Sequence, residues 1–380
     1  MRIVINAFSA RQGGGQTYLL NLLKFLPLDS TAEVFVLAPH SLKLPDHRRN
    51  VKRLHVNWPV ENPFLRAIWE KLQLPKLLRE RRADILFCPG GVVGARVPQG
   101  CKTVTMFRNM IPFDLVQRRK YPLGYQRLRN WILQRVMLKS MAQADLVIFI
   151  SEYARKVIET VADKPLKKLV VIPHGVNPHF RIARDAKLAR PEWLPEEYLL
   201  YVSTIDVYKA QVEVVQAYAK LQQHRQTKEK LILAGPENAE YGLKVRDEIE
   251  RLGLVGDVLV VGSIPYEQLP AVYHHAKINI FASESENCPN ILLEALAAGR
   301  PIVSSNRSPM PEFAGDAVIY FNPSSPDELA EKLASIIDNP KWMGMLSNNA
   351  SERSLLYDWN TSAKLTWDAF ENLCPEKAKG

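Results

Sequence analysis

Cysteine is scarce in this chain of 380 residues: Cys88, Cys101, Cys288 and Cys374 are scattered, with no Cys-x-x-Cys pair. That spacing excludes a disulfide framework and a thiolate zinc site, and it points to a reducing, cytoplasmic setting. No apolar run reaches the length of about 18 residues that a membrane-spanning helix needs. The opening Met1-Arg2-Ile3-Val4-Ile5-Asn6-Ala7-Phe8 is too short for a signal peptide and reads as a first strand. Asp-x-Asp is absent, so a divalent ion has no obvious closely spaced carboxylate pair. Gly-x-Gly-x-x-Gly is absent too, which leaves a dinucleotide fingerprint weakly supported. Acids are outnumbered: 50 lysines and arginines face 40 aspartates and glutamates, a net charge of +10. Nucleic acid, an anionic membrane surface or an anionic substrate each suit such an excess, but no nucleic-acid motif accompanies it.

The length suggests two domains, and the 47% hydrophobic content with mean hydropathy of -0.16 describes a water-compatible globular chain. The most informative stretch runs from Ser283 to Pro301. The apolar Ile278–Ala282 run reads as a buried strand, and Pro289 suits the first turn of a helix. Ile291, Leu292, Ala295 and Leu296 make a stripe at helical spacing, and Gly299 with Pro301 stops it. Glu286 then lies in the strand-to-helix loop, and Glu294 lies on the helix about two turns later. The first N–H groups, near Asn290 to Leu292, are expected to be unsatisfied and to form an anion site between two carboxylates. Carboxylates accept from hydroxyls, so a diphosphate between two sugars fits. The same residues also read as a solvated Glu294 and a Glu286 that complements the helix dipole.

Near the N-terminus, Arg11-Gln12-Gly13-Gly14-Gly15-Gln16-Thr17-Tyr18 follows the first strand and precedes a helix through Leu19 to Phe25. Strand, glycine loop and helix open a Rossmann-like half. Further strands are expected at Glu33–Ala38, Asp84–Cys88, Thr103–Phe107 and Ala144–Ile150 (running into a helix capped near Ser151), and the stretch Leu169–Pro178 ends this half. Arg108-Asn109 follows one strand end, where active groups of open α/β sheets gather. In the second half, Tyr198–Ser203 leads through Thr204 to Lys209, placed by the start of a helix as a point charge for a phosphate. Strands at Leu231–Ala234, Val258–Val261 and Ile302–Ser305 complete it.

Glu286, seven residues, Glu294 and the following Ala-Leu-Ala-Ala-Gly-Arg-Pro-Ile-Val resemble the Glu-x7-Glu signature of retaining GT-B glycosyltransferases of family 4, bacterial surface-polysaccharide type. The likeness runs through nearly the whole chain, most closely from Ser203 to Ala317 and least from Asn50 to Ala83 and Ile182 to Leu194. It implies an α/β fold of GT-B type: two Rossmann-like domains facing each other across a cleft. Residues 1–180 would be the acceptor domain, completed by a C-terminal helix over about 359–380 that crosses back. Residues 181–358 would bind the nucleotide sugar.

The resemblance also implies roles. Glu286 would hold donor-sugar hydroxyls and Glu294 the ribose, with Cys288, Pro289, Asn290, Ile291 and Leu292 around the diphosphate. Ile264 would lie beside the base, and Thr204 stands where many members have arginine, which leaves Lys209 as the main cation. Gly13, Gly14, Gly15 and Gln16 would face donor and acceptor. Members often carry His-Asp where this chain has Arg108-Asn109, and an arginine cannot act as a base near neutral pH. His174, in a Pro-His-Gly turn, reads as structural. The implied reaction moves a hexosyl unit, in a Thr-Ile subgroup a mannosyl, from a UDP- or GDP-sugar to a hydroxyl of a glycan or lipid-linked glycan. It would retain anomeric configuration and need no metal or cofactor.

Two segments carry the positive charge. Leu115 to Ala144 has seven basic residues and no acid, interleaved with Tyr121, Tyr125, Trp131, Ile132, Met137 and Leu138. Earlier, Phe64, Leu65, Ile68, Trp69, Leu72 and Leu74 accompany Arg66, Lys71, Lys76, Arg79, Arg81 and Arg82. Basic amphipathic helices with aromatics suit an anionic membrane surface, so peripheral contact at the inner face is expected and nucleic acid is not. Packing of the apolar faces on the sheet is the plain alternative. Rival functions are a silent nucleotide-sugar-binding subunit, which product formation would exclude, and a GT-B epimerase, which needs no acceptor. Nucleic-acid binding would show affinity that falls steeply with salt.

Overall fold

The computed structural model describes residues 1–375 apart from 12, 29, 46–48, 122–123, 184–187 and 226–227. It divides into two compact units. Unit 1 holds the chain to Arg118, the stretch that ends at Gly175 and the C-terminal segment from Asp358. Unit 2 holds Arg119–Tyr121 and Val176–Tyr357.

Unit 1 begins with β1 (Arg2–Asn6), α1 (Gly14–Lys24), β2 (Glu33–Leu37) and β3 (Val51–Arg53). Helices α2 (Pro63–Leu72) and α3 (Leu74–Glu80) lead to β4 (Ile85–Cys88) and β5 (Lys102–Phe107). Then come α4 (Leu115–Lys120), α5 (Tyr125–Gln143), β6 (Leu146–Phe149), α6 (Glu152–Val161) and β7 (Leu169–Val171). The strands pair in parallel in the order β3-β2-β1-β4-β5-β6-β7. Central strands covered on both faces explain the unbroken apolar runs.

The parallel register sets Val4 beside Leu86, Cys88 beside Thr105 and Thr105 beside Val147, so these share one face. On that face Trp69, Leu74 and Leu78 from α2 and α3 pack around Val4 and Leu86, and Met137 and Met141 of α5 pack around Phe107 and Val147. The outward sides of α2 and α5 remain apolar: Phe64 is 76% and Tyr125 74% exposed, with Ile68, Leu72, Leu128, Trp131, Ile132 and Val136 also exposed. The opposite face carries α1. There Tyr18 meets Phe87 at 6.3 Å between ring centres.

Unit 2 runs β8 (Tyr198–Val202), α7 (Gln211–His224), β9 (Lys230–Ala234), α8 (Ala239–Arg251), β10 (Val258–Gly262) and α9 (Leu269–His275). It continues with β11 (Ile278–Phe281), α10 (Asn290–Ala297), β12 (Ile302–Ser305), α11 (Met310–Ala314) and β13 (Ile319–Phe321). Helices α12 (Pro326–Ile337) and α13 (Pro340–Ser354) close it. Its parallel sheet has the order β10-β9-β8-β11-β12-β13.

The last helix, α14 (Trp359–Glu371), belongs to unit 1. The Phe370 ring centre lies 5.1 Å from that of Phe87, and the Trp367 indole N–H donates to the Leu22 carbonyl at 3.1 Å. The sequence expectation carries this helix to about residue 380. It ends at Glu371, ahead of Pro375, and residues 376–380 lie outside the described residues.

Candidate functional site

In unit 2 the strand order reverses between β8 and β11, and ligands of open α/β sheets lie beyond the carboxyl ends at such a reversal. The two loops that leave those ends are tied together, because the Glu284 N–H donates to the Tyr208 carbonyl at 2.8 Å. Thr204 is exposed at the end of β8, and its carbonyl accepts from the Gln211 amide at 3.0 Å. Lys209 lies in a short 3-10 turn, Val207–Lys209, and not at the helix start that its sequence position suggests. Asp206 caps that turn through its carboxylate (2.7 Å to the Val207 N–H), and Ala210 follows with φ 53° and ψ 36°. A non-glycine residue in the left-handed region stores about 1 kcal/mol of strain, here between Lys209 and α7.

The Lys209 side chain is buried, 5% of the residue being exposed, and its ammonium donates to Glu286 Oε1. It therefore stands as half of an ion pair, where the sequence suggests a cation held ready for phosphate alone. The Tyr201 hydroxyl fixes the Lys209 carbonyl at 2.8 Å, and the Tyr208 ring centre lies 4.9 Å from Nζ. Burial works against the charge on Lys209, yet the Glu286 carboxylate and the neighbouring tyrosines outweigh it, so its pKa stands above the ordinary value. Lys209 thus aims and balances the carboxylate of Glu286 through Oε1.

Helix α10 starts just beyond, with Pro289 as its cap and no side chain serving its first N–H groups. The Asn290 N–H is not an unsatisfied donor: it bonds to the Cys288 carbonyl at 2.9 Å, because the chain tightens into a turn at Pro289. Ile291 and Leu292 supply the helix-terminal donors. Glu294 lies on the same helix, half-buried, and accepts from the Tyr266 hydroxyl at 3.4 Å. Tyr266 in turn accepts from the Asn177 amide at 2.8 Å. Burial pushes the Glu294 carboxyl up to about 8, against a small pull from Tyr266. Sequence reasoning missed Tyr266 and Asn177. The available signal was that Tyr266, like Ile264, follows the carboxyl end of β10.

Unit 1 has its own reversal, between β1 and β4. Gly13 caps α1 with φ +58° and ψ -144°, a conformation that only glycine adopts readily. Gly14 and Gly15 are not loop residues as the sequence suggests; they form the first turn of α1, where the N–H groups lack helical partners anyway. A Cβ on Gly15 would press on the Arg108 guanidinium at 3.3 Å, so this glycine admits the arginine to the helix start. Arg108 also lies over the Tyr18 ring, 5.9 Å from its centre. Gln16 turns back to donate to the Arg11 carbonyl at 2.7 Å, and Gln12 lies outside the described residues. Asn109 accepts from the Ile111 N–H at 3.2 Å and so caps a turn. His174 is buried between Tyr18 and Trp359, with ring centres 5.3 and 5.2 Å away, which is a packing role.

Unit 2 therefore joins, at one strand reversal, a helix N-terminus suited to an anion and two carboxylates suited to hydroxyls. Comparison with known proteins agrees. Residues 185–353 match the profile described as glycosyl transferases group 1, and residues 12–180 match glycosyltransferase family 4. The chain belongs to glycosyltransferase family 4. The Escherichia coli O-antigen chain mannosyltransferase B is 24% identical over 72% of this chain and 71% of its own length. The E. coli serotype-specific mannosyltransferase WbdA is 25% identical over 72% of this chain, which spans about a third (34%) of that longer protein. The solved sucrose-phosphate synthase of Thermosynechococcus elongatus superposes with a TM-score of 0.80 over 99% of this family 4 chain and 100% of its own, at 17% identity. The fold is the α/β GT-B fold, with two parallel-sheet domains.

Proposed function

We propose that this glycosyltransferase moves a mannosyl or related hexosyl unit from a UDP- or GDP-sugar to a hydroxyl of a glycan or lipid-linked glycan in surface-polysaccharide synthesis. The observation that carries the donor assignment is the placing of Glu286 and Glu294 on either side of the start of α10. The diphosphate meets the Ile291 and Leu292 N–H groups, the donor sugar meets Glu286, and the ribose hydroxyls donate to Glu294. Lys209 holds Glu286 in place and adds positive charge as the diphosphate leaves. The mannosyl assignment draws on the names of the E. coli relatives.

The reaction we favour retains configuration and runs on one face of the sugar. The bond from C1 to the phosphate oxygen breaks as the bond from C1 to the acceptor oxygen forms, and the departing phosphate takes the hydroxyl proton. Among the described residues, no carboxylate demands the role of covalent nucleophile. Lys209 and the α10 N–H groups supply charge stabilisation without a metal ion. We further propose that unit 1 rests on an anionic membrane, supported by exposed apolar residues of α2 and α5 interleaved with Arg129, Arg135, Lys139 and Lys71. Both helices pack on one face of the sheet.

Incubation with each nucleotide hexose and a mannosyl-terminated acceptor tests the reaction, with the product read by NMR at the anomeric proton. An α-linked product from an α-donor, formed equally with EDTA, is expected. An inverted linkage or an EDTA-abolished reaction would overturn the mechanism.

A further inference from the structure

The strand reversal of unit 1 carries a polar cluster to which the transfer chemistry so far assigns no part. Asn6, the last residue of β1, is 6% exposed and donates through Nδ2 to Glu70 Oε1 at 2.8 Å. Its Oδ1 has no partner. Arg66, one turn earlier on α2, lies 3.9 Å from Glu70 and donates to the Phe8 carbonyl at 3.3 Å. Gly94, in the loop after β4, passes so close that a Cβ there would displace the other Glu70 oxygen. Gly90, in the same loop, is pressed against Ser9 in the same way.

The loop that leaves β4 is thus pared to glycine where it passes Ser9 and the Glu70 carboxyl group, at the edge where an open parallel sheet receives its ligand. A purely structural ion pair would not account for the orphaned Asn6 Oδ1, since a buried polar atom without a partner is costly. The charges indicate the ligand class. Arg66 is balanced by Glu70, and Arg11 by Glu61 at 3.7 Å. Such a cluster attracts neither phosphate nor ammonium strongly, whereas neutral hydroxyls find two acceptor groups and a guanidinium. Burial raises the Glu70 pKa, and the Asn6 and Arg66 contacts pull it back, as expected of a carboxyl held for hydrogen bonding.

We propose that Glu70 and Arg66, with Asn6 as positioning residue, form the subsite that binds a neutral, polyhydroxylated acceptor sugar. This rests on the transferase reading given above and names the group that unit 1 would recognise. Saturation-transfer NMR and calorimetry with methyl α-D-mannopyranoside and mannose 6-phosphate test it on the wild type, Glu70→Gln and Gly94→Ala. Thermal stabilisation by nucleotide sugars is measured in parallel on the same proteins. The wild type is expected to bind the neutral glycoside better than the phosphate. Glu70→Gln should weaken that binding about tenfold or more, and Gly94→Ala should do the same by displacing Glu70, while donor-induced stabilisation persists in both. Persistence of the donor shift also shows that the variants fold, and Gly94→Ala serves should Glu70→Gln fail to do so. Absence of a wild-type signal, preference for the phosphate, or undiminished binding by both variants would overturn the subsite. If no nucleotide sugar stabilises even the wild type, it is the transferase reading that fails.

Discussion

In the proposed donor site, Glu294 would couple binding to pH. Its folded pKa of about 8 lies above the ordinary carboxyl value of 4.5, so the folded chain holds a proton there that the unfolded chain has lost. The favourable contribution is complete below about pH 4.5 and drains away as pH rises through 8. Glu294→Gln should therefore flatten the fall in melting temperature between pH 5 and about 8.5, a change of a few kcal/mol at most. If ribose hydroxyls donate to the ionised form, as proposed, donor binding should release a proton and strengthen as pH rises toward 8. Calorimetry in buffers of different ionisation enthalpy would detect that proton, and none should appear with Glu294→Gln. Lys209 offers a second test. Removing one partner of a buried pair costs about 3 kcal/mol or more. Lys209→Met should reach that in urea unfolding, and adding Glu286→Gln should restore part of it. Costs that simply add would show that the two side chains act independently.

At the scale of elements, α2 and α5 keep apolar residues on both sides. Met137 and Trp69 face the sheet, while Phe64, Tyr125 and Ile132 face outward beside arginines and lysines. Cosedimentation with phosphatidylglycerol vesicles should exceed that with phosphatidylcholine and weaken with salt. Phe64→Glu with Ile132→Glu should lower it about fivefold or more without loss of donor binding. Equal binding to neutral vesicles would count against charge as the attraction. The Pro-His-Gly turn before unit 2 depends on its glycine. A Cβ on Gly175 would meet the backbone of Asp358 and Trp359, where α14 docks in unit 1. Gly175→Ala should destabilise by about 3 kcal/mol or more, read by thermal unfolding, through displacement of α14.

For the whole molecule, what could be read from the sequence followed the strength of local signals. The core runs Ile3-Val4-Ile5, Leu199-Leu200-Tyr201 and Ile278-Asn279-Ile280 are buried on both faces and read directly as strands. The Ser151 cap and the start of α10 near Pro289 were legible for the same local reason. Strand β3, only Val51-Lys52-Arg53, carries no such run and was missed. Long-range pairs were illegible as well. Nothing in the spacing joins Lys209 to Glu286, 77 residues on, or Asn6 to Glu70, 64 residues on. The donor site at the unit 2 reversal is the central claim. Thermal unfolding with a panel of nucleoside diphosphates and nucleotide sugars, with and without EDTA, tests it most directly on the wild type and Glu294→Ala. At 100 times its dissociation constant a ligand stabilises by roughly 2.7 kcal/mol. Stabilisation by one nucleotide base, indifferent to EDTA and lost in Glu294→Ala, is predicted. Stabilisation by none of them, or equal stabilisation of Glu294→Ala, would contradict it.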